Sequence, residues 1–462
     1  MVNFQNVTRL LFSSVLVVGT LALSGCGFRS SPEDTYQVAQ LEIWGVFDDT
    51  DAYSQAISDY KKINPFVKNI TYRKLAPETY KEDLINAFAA GKGPDIFMVR
   101  NSWRAAFEDK TAPAPATLLS EREYRAALVD VAAADFIGSE NKIYGIPLSV
   151  DSLALYYNKD LLNAVGISRA PETWDEVAEY AKRLTTVDQF GNIVRSGIAL
   201  GTGTNINRSS DILSMLMLQL GSPIQGATPG KVNFSDQLSR QAFEYYTQFA
   251  RIGMPVYSWN ARQHYSIDAF SEGTTAMMIN YSWQYEALKQ KNAKLNLGIA
   301  DLPQWNRDAP VNLANYWGYA VTKEKPPQGP TTDAVKTNSL RVFEAWQFLK
   351  YLALAGKEDT VSVVNALTGV SQQFPLTTDP TEQYLKKTNK PAARRDLITA
   401  QENDIVLGPF SYGNLIAKNW YQGNPEAVDT ILTEMIESVV RGENTIQGAL
   451  GVGGNRINTL SR

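Results

Sequence analysis

The chain opens its folded part with a nearly unbroken apolar run, Leu41 to Phe47 (LEIWGVF), which predicts a buried strand ending in an acidic loop, Asp48-Asp49-Thr50-Asp51. Tyr53, Ala56, Ile57, Tyr60 and Ile63 then recur at helical spacing, and Pro65 stops the helix. Ile70 to Leu75 reads as a second strand. Tyr80, Leu84, Ile85 and Phe88 form the inner face of a second helix ended at Gly91, and Asp95 to Val99 reads as a third strand. This β-α-β-α-β order predicts an α/β sheet with mainly parallel strands.

Thr111 to Thr117 (TAPAPAT) reads as a Pro-rich surface loop, and Ile143 to Tyr157 as two extended stretches joined at Ser149-Val150-Asp151. Thr173-Trp174-Asp175-Glu176 has the spacing of a capping box, with Thr173 as N-cap and Glu176 reaching back, for a helix to about Leu184. Further helices are expected over Asp211 to Leu220, within Phe234 to Ile252, over Leu340 to Leu354 and, last, over Pro425 to Val440. Ala276 to Asn280 and Leu295 to Ala300 read as strands, and Lys323 to Asn338 as an exposed loop. No internal repeat or low-complexity block is present.

Ahead of this, Arg9 precedes an interrupted apolar run, Leu10 to Leu23, followed by Leu23-Ser24-Gly25-Cys26. The run is short of the roughly 20 apolar residues of a membrane-spanning helix. Its layout is that of a secretory signal, residues 1–25, and LSGC resembles a bacterial lipobox. That resemblance implies cleavage before Cys26, acylation of Cys26, and a protein held on the outer face of the cell membrane. Residues 26–39 are polar and turn-rich and read as a flexible tether.

Composition removes several classes. The 462 residues are 44% hydrophobic and 20% charged, with a net charge of −4, so no basic excess points to nucleic acid. The single His264 and single Cys26 all but exclude a zinc site or a Cys/His nucleophile pair. One cysteine leaves no internal disulfide. No cofactor or metal is expected. Nine Trp and 22 Tyr are enough to supply both core and a stacking site.

From Gly91 onward a set of motifs falls in one order: Gly91-Lys92-Gly93-Pro94-Asp95-Ile96; Tyr144-Gly145-Ile146-Pro147 with Asp151 and Leu155-Tyr156-Tyr157-Asn158-Lys159-Asp160; Phe270-Ser271-Glu272-Gly273-Thr274-Thr275-Ala276-Met277; and Tyr316-Trp317-Gly318-Tyr319-Ala320. In this order the chain resembles the family 1 extracellular solute-binding proteins, the maltose-binding-protein-like group, over nearly its whole mature length. The resemblance implies a periplasmic-binding-protein-like (type II) α/β fold with a ligand cleft between two lobes. The lobes are expected at 40–150 plus 299–339 and at 151–298 plus 340–462. It also implies a monomer that closes by a hinge around a small solute and hands it to the permease of an ABC importer.

Sugar rings offer C–H faces to aromatic planes and hydroxyl rims to planar polar groups. Ligands of parallel α/β sheets sit beyond the carboxyl ends of strands, which singles out Trp44 and Asp49. The resemblance adds Arg100, Asn101 and Trp103 after the third strand, Asp151 at the lobe crossover, and Trp283 with its neighbour Tyr281; Trp317 and Tyr412 complete the candidates. Each has a plainer alternative: Trp44 as core, the acidic loop as helix cap, Asp151 as an acceptor for backbone donors. Three rival functions stand beside carbohydrate binding. A lipid-anchored glycosidase would pair Asp151 with Asp49 as facing carboxylates. The same fold could bind iron, phosphate, a polyamine or peptide; the tyrosine pairs Tyr156-Tyr157 and Tyr245-Tyr246 and the run Gly201-Thr202-Gly203-Thr204 are the features to check. A sensor-associated binding module would look the same in sequence.

Overall fold

The structure, a computed structural model, describes residues 35–226, 231–327, 333–356 and 360–460. Cys26 and the leader lie outside the described residues. The compact body begins at Tyr36 and holds two hydrophobic cores.

The first core surrounds a five-stranded sheet in the order Ile70–Lys74, Leu41–Gly45, Ile96–Arg100, Trp317–Thr322, Thr111–Ala112. The first three strands are parallel, with Ile43 opposite Tyr72 and Trp44 opposite Phe97. Their apolar runs fit a sheet covered on both faces. The helices Asp51–Ile63 and Tyr80–Ala89 connect them. Strand Trp317–Thr322 returns antiparallel, with Trp317 opposite Arg100.

The second core holds a three-stranded sheet, Met277–Asn280, Ala154–Asn158, Leu297–Ala300, whose pairings are antiparallel. The expectation of mainly parallel strands therefore holds only for the first lobe's opening strands. Helix Trp174–Leu184 starts at Thr173, whose hydroxyl accepts from Glu176 N–H at 3.3 Å. The Glu176 carboxylate reaches past Thr173 to the Glu172 N–H (2.7 Å).

Several expected boundaries move. Helix Ala334–Leu354 belongs to the first core, not the second: Ala345, Trp346, Phe348, Leu349 and Leu352 pack there. Its polar groups are tied to the same lobe, Trp346 Nε1 donating to Ala112 O (2.9 Å) and Arg341 reaching Asp95 (3.4 Å). Tyr384, Leu385, Ala392 and Leu397 join that core too, so the final return to the second lobe comes between Phe410 and Trp420 rather than at 340. Leu302 and Leu313 still belong to the second core, and the preceding return to the first core falls at Ala314 rather than 299. Thr111 and Ala112 form a buried edge strand, because their backbone completes the sheet beside Val321 and Thr322. Residues 36–39 are docked, not a free tether. Tyr36 stacks on Phe66 (4.8 Å), and Val38 N–H donates to Phe66 O (2.7 Å).

A helix beyond the expected last one, Ile446–Leu460, packs on Pro425–Val440. Its glycines hid it in the sequence. A methyl group on Gly453 would collide with Met435 Sδ, so the glycine is what permits the close approach.

The chain crosses between lobes around Asp151-Ser152, at Leu313-Ala314 and near Ala417 to Trp420. Strands Asn312–Leu313 and Ala417–Lys418 pair in parallel there. Asn414 Nδ2 donates to Val150 O (2.6 Å), Asn312 Nδ2 to Leu153 O (2.8 Å), and Asn315 N–H to Asp151 O (2.9 Å). Buried backbone carbonyls at the crossing thus receive two side-chain amides and one backbone N–H. Among the described residues, no helix is long and apolar enough to cross a membrane.

Candidate functional site

Between the two cores lies a cavity of about 420 Å³. Phe47, Trp317 and Tyr384 line it from the first lobe, Arg208, Trp283 and Glu286 from the second, and Asp151 and Asn315 from the crossing. Trp283 follows strand Met277–Asn280 and is 43% exposed. One ring face lies on Tyr281, with centroids 4.5 Å apart and planes 22° from parallel. Tyr281 is itself buried, its hydroxyl donating to Asp211 (3.0 Å), and so acts as backing for the Trp283 ring. Trp317 is held edge-on by Trp103 (4.9 Å), Phe47 (5.7 Å) and Tyr80 (5.9 Å), a rigid aromatic wall opposite.

Asp151 is buried where the first crossing strand enters the second lobe. It accepts from Ser282 N–H (3.0 Å) and Ser282 Oγ (2.5 Å). Burial pushes its carboxyl up to about 7, against the opposing pull of the Ser282 hydrogen bonds. Lys390 pairs with Asp48 (2.6 and 2.7 Å) and donates to the Tyr384 hydroxyl (3.0 Å). Burial lowers the Lys390 ammonium, but Tyr384 and Asp48 outweigh it and hold the group well above its ordinary value. Among the described residues, five non-glycine residues sit at positive φ, and three of them, Phe47, Arg208 and Asn389, line this cavity. Clustering of disfavoured backbone at one cleft marks a functional site.

A second chamber of about 290 Å³ adjoins the first through Asn315 and is more polar. Arg100, Asn101, Asp135, Asp211 and Asn419 line it. Asp135 accepts from Asn419 Nδ2 (2.7 Å), the Tyr316 hydroxyl (2.8 Å) and Asn101 Nδ2 (3.0 Å). Burial nevertheless holds its carboxyl above the usual range. Contacts also bridge the lobes at the rim. Glu426 of the second lobe accepts from Trp103 Nε1 (2.9 Å) and pairs with Lys81 (3.1 Å), and Asn389 donates to Glu286 (3.2 Å).

Asp151, Trp283 and Trp317 therefore meet in the first chamber, and Arg100 and Asn101 line the second. Trp103 stands at the rim, held by Trp317 and Glu426, and Tyr281 lies behind Trp283. Three candidates are elsewhere. Trp44 is 7% exposed, its Nε1 bonded to Glu42 (2.9 Å) and its ring covered by the Arg73 guanidinium at 5.2 Å. Asp49 is exposed and paired with Lys74 (2.9 Å), so it does not face Asp151 across the cleft. Tyr412 borders a different cavity, with Arg169 and Arg307. Sequence reasoning missed Phe47, Arg208, Asn315, Tyr384, Asn389 and Lys390. Phe47 ends the first predicted strand, and the strand-end rule that selected Asp49 applies to it equally.

The features that suggested other ligands are occupied. Tyr156, Tyr245 and Tyr246 are core residues whose hydroxyls donate to Tyr281 O, Trp174 O and Thr202 O. The N–H groups of Gly203 and Thr204 donate to Glu437 Oε1 (2.7 and 3.0 Å), which fills the place an anion would take. His264 is exposed beside Glu272 (2.9 Å). Among the described residues, no group of three or more His, Cys, Asp or Glu is placed to hold a metal ion.

A two-lobed α/β body with a ligand-sized cleft at its crossing strands defines a binding-protein architecture. The sequence profile described as bacterial extracellular solute-binding protein matches residues 46–358, and the chain belongs to that family. Its members are binding proteins rather than enzymes and lie outside the cytoplasm. A galactooligosaccharide-binding protein of Bacillus subtilis (strain 168) is 23% identical over 300 residues, 62% of this chain and 65% of that protein. The chain thus spans less than two thirds of that relative's length. The sn-glycerol-3-phosphate-binding periplasmic protein UgpB of Salmonella typhimurium is 24% identical over 435 residues, 89% of this chain and 87% of that one. Among solved structures, the cyclic alpha-maltosyl-1,6-maltose binding protein of Arthrobacter globiformis superposes with a TM-score of 0.70 at 17% identity, covering 92% of this chain and 99% of that one.

Proposed function

We propose that this protein captures a mono- or oligosaccharide in the cleft and delivers it to an ABC importer. The observation that carries this reading is the Trp283 ring. It is backed on one face by Tyr281, 43% exposed beside the cavity, opposed by the Trp317 wall and flanked by the Asp151 carboxylate. An aromatic plane with planar polar groups at its edge suits the C–H face and hydroxyl rim of a pyranose. The names of the Bacillus galactooligosaccharide-binding relative and the Arthrobacter maltosyl-maltose-binding neighbour support the same ligand class.

In this account the lobes close around the sugar and the chain performs no chemistry; the Asp151 and Asp49 carboxylates of the glycosidase reading do not face each other, because Asp49 is exposed and paired with Lys74. Asp151 and Trp283 contact the ligand directly, and Arg100 and Asn101 border its second chamber. We further propose that the mature chain begins at an acylated Cys26 and works as a monomer. Deleting the gene should abolish cellular uptake of the labelled saccharide, and sugar recovered from the protein should be chemically intact. Intact uptake or a cleaved sugar would refute the transport reading. Cys26→Ser should stall processing or shift the protein out of the membrane fraction; unchanged membrane retention would refute the anchor.

A further inference from the structure

The charged groups around the cleft are unevenly matched. Among the described residues lining its two chambers, each carboxylate already has a protein donor. Asp151 has Ser282, Glu286 has Asn389, Asp135 has Asn101, Tyr316 and Asn419, and Asp211 has the Tyr281 hydroxyl. Lys390 is paired with Asp48, and Arg104 with Glu108. Arg100 and Arg208 are left with neither a hydrogen bond nor an ion pair to their side chains among the described residues, and Arg208 Nε is buried without a partner.

The two come from opposite lobes. Arg100 ends strand Ile96–Arg100 of the first lobe, opposite Trp317. Arg208 precedes helix Ser209–Gln219 of the second, held at φ 65° and ψ 28°, a conformation that disfavours a side chain. Its guanidinium lies 5.3 Å from the centre of the Trp283 ring and 5.8 Å from that of Tyr281. Both arginines bear on one point. Burial and Asp211 hold the Tyr281 hydroxyl well above its ordinary value, and the charges of Arg208 and Arg100 pull it the other way.

A guanidinium with all its donors free, beside the aromatic platform, calls for an acceptor with two coplanar oxygens. A pair of neighbouring neutral hydroxyls can span the fork but brings no compensating charge, whereas carboxylate, sulfate and phosphate match it in bidentate fashion and neutralise it. We propose that the ligand is a saccharide carrying an anionic substituent, gripped between Arg100 of the first lobe and Arg208 of the second. The inference rests on the saccharide reading and narrows it. Because the two cations sit on different lobes, the anion also helps draw the lobes together.

The test is calorimetric titration of the full chain in detergent with matched pairs: digalacturonate against galactobiose, and glucose 6-phosphate against glucose. Inorganic phosphate, sulfate and sn-glycerol 3-phosphate serve as sugar-free anions. The anionic member of at least one pair should bind at least about tenfold tighter than its neutral partner, the scale of a charge-assisted hydrogen bond. Arg208→Lys and Arg100→Lys should each weaken that binding by roughly tenfold while leaving the melting temperature in place. Neutral sugars binding as well as or better than their anionic partners, with affinity unmoved in both variants, would overturn the inference and leave the saccharide reading standing. Saturable binding of a sugar-free anion alone would overturn the saccharide reading, and this inference with it.

Discussion

Replacing Trp283 with alanine removes the platform on which a sugar face would lie, while Tyr281 stays packed beneath it. Trp283 leaves 43% of its surface exposed. For a side chain of roughly 250 Å² that is about 100 Å², and a pyranose lying against the exposed part of the ring covers about half to all of it. At about 25 cal/mol per Å² the lost contact is about 1.3–2.5 kcal/mol, an increase of about 8- to 70-fold in Kd. Trp283→Phe keeps a smaller ring and should fall between the two. Titration calorimetry at 25 °C reads the affinity. A thermal melt reads folding, which should move by only a few degrees, because the removed ring is half-exposed and its chief partner keeps its own bond to Asp211. An alanine variant that folds normally and binds the saccharide within twofold of the parent would refute the platform.

Three further outcomes follow from the same geometry. Lys390→Met leaves the buried Asp48 carboxylate without its cation, held only by the Tyr53 and Tyr384 hydroxyls, and should cost about 3 kcal/mol of stability in chemical denaturation, with the double variant Asp48→Asn/Lys390→Met recovering part of it; equal losses in the single and double variants would contradict the pairing. Asp151, held near 7 instead of 3.8, keeps a proton in the folded chain over a range where the unfolded chain has lost it. Its contribution to stability therefore falls as pH rises from about 4 to about 7 and is flat above. The stability of Asp151→Asn relative to the parent should accordingly improve from pH 5 to pH 8, and a constant difference would show that the carboxyl titrates normally. Glu426→Ala breaks the Trp103 and Lys81 contacts across the rim, so it should enlarge the ligand-free radius of gyration in X-ray scattering and weaken every ligand by a similar, roughly fivefold, factor. Unchanged scattering and affinity would count against the clasp.

The parts legible in the sequence are those governed by local pattern. The opening strand–helix alternation and the Thr173 cap depend on neighbours a few residues away, and helix Pro425–Val440 falls where its apolar spacing placed it. What was not legible depends on which lobe a segment returns to. Helix Ala334–Leu354 is equally apolar wherever it docks; distant partners such as Asp95, Ala112 and Asn64, hundreds of positions earlier, fix it to the first core. The site divides in the same way. Asp151 and Trp283 sit beside recognisable motifs, whereas Lys390 and Asn389 reach the cleft from a stretch with no motif at all. Trp44 and Asp49 were chosen by the strand-end rule, but the cleft side of that turn is taken by Phe47, which positive φ turns outward.

The central claim, that this cleft holds a saccharide, is tested most directly by calorimetric titration of the full chain. The panel should contain mono- and oligosaccharides, neutral and acidic, with phosphate, ferric citrate, polyamines and short peptides alongside. Saturable one-site binding of a sugar, lost on competition by no other class, is the predicted result. Saturable binding of a non-sugar, with every saccharide silent, would contradict it.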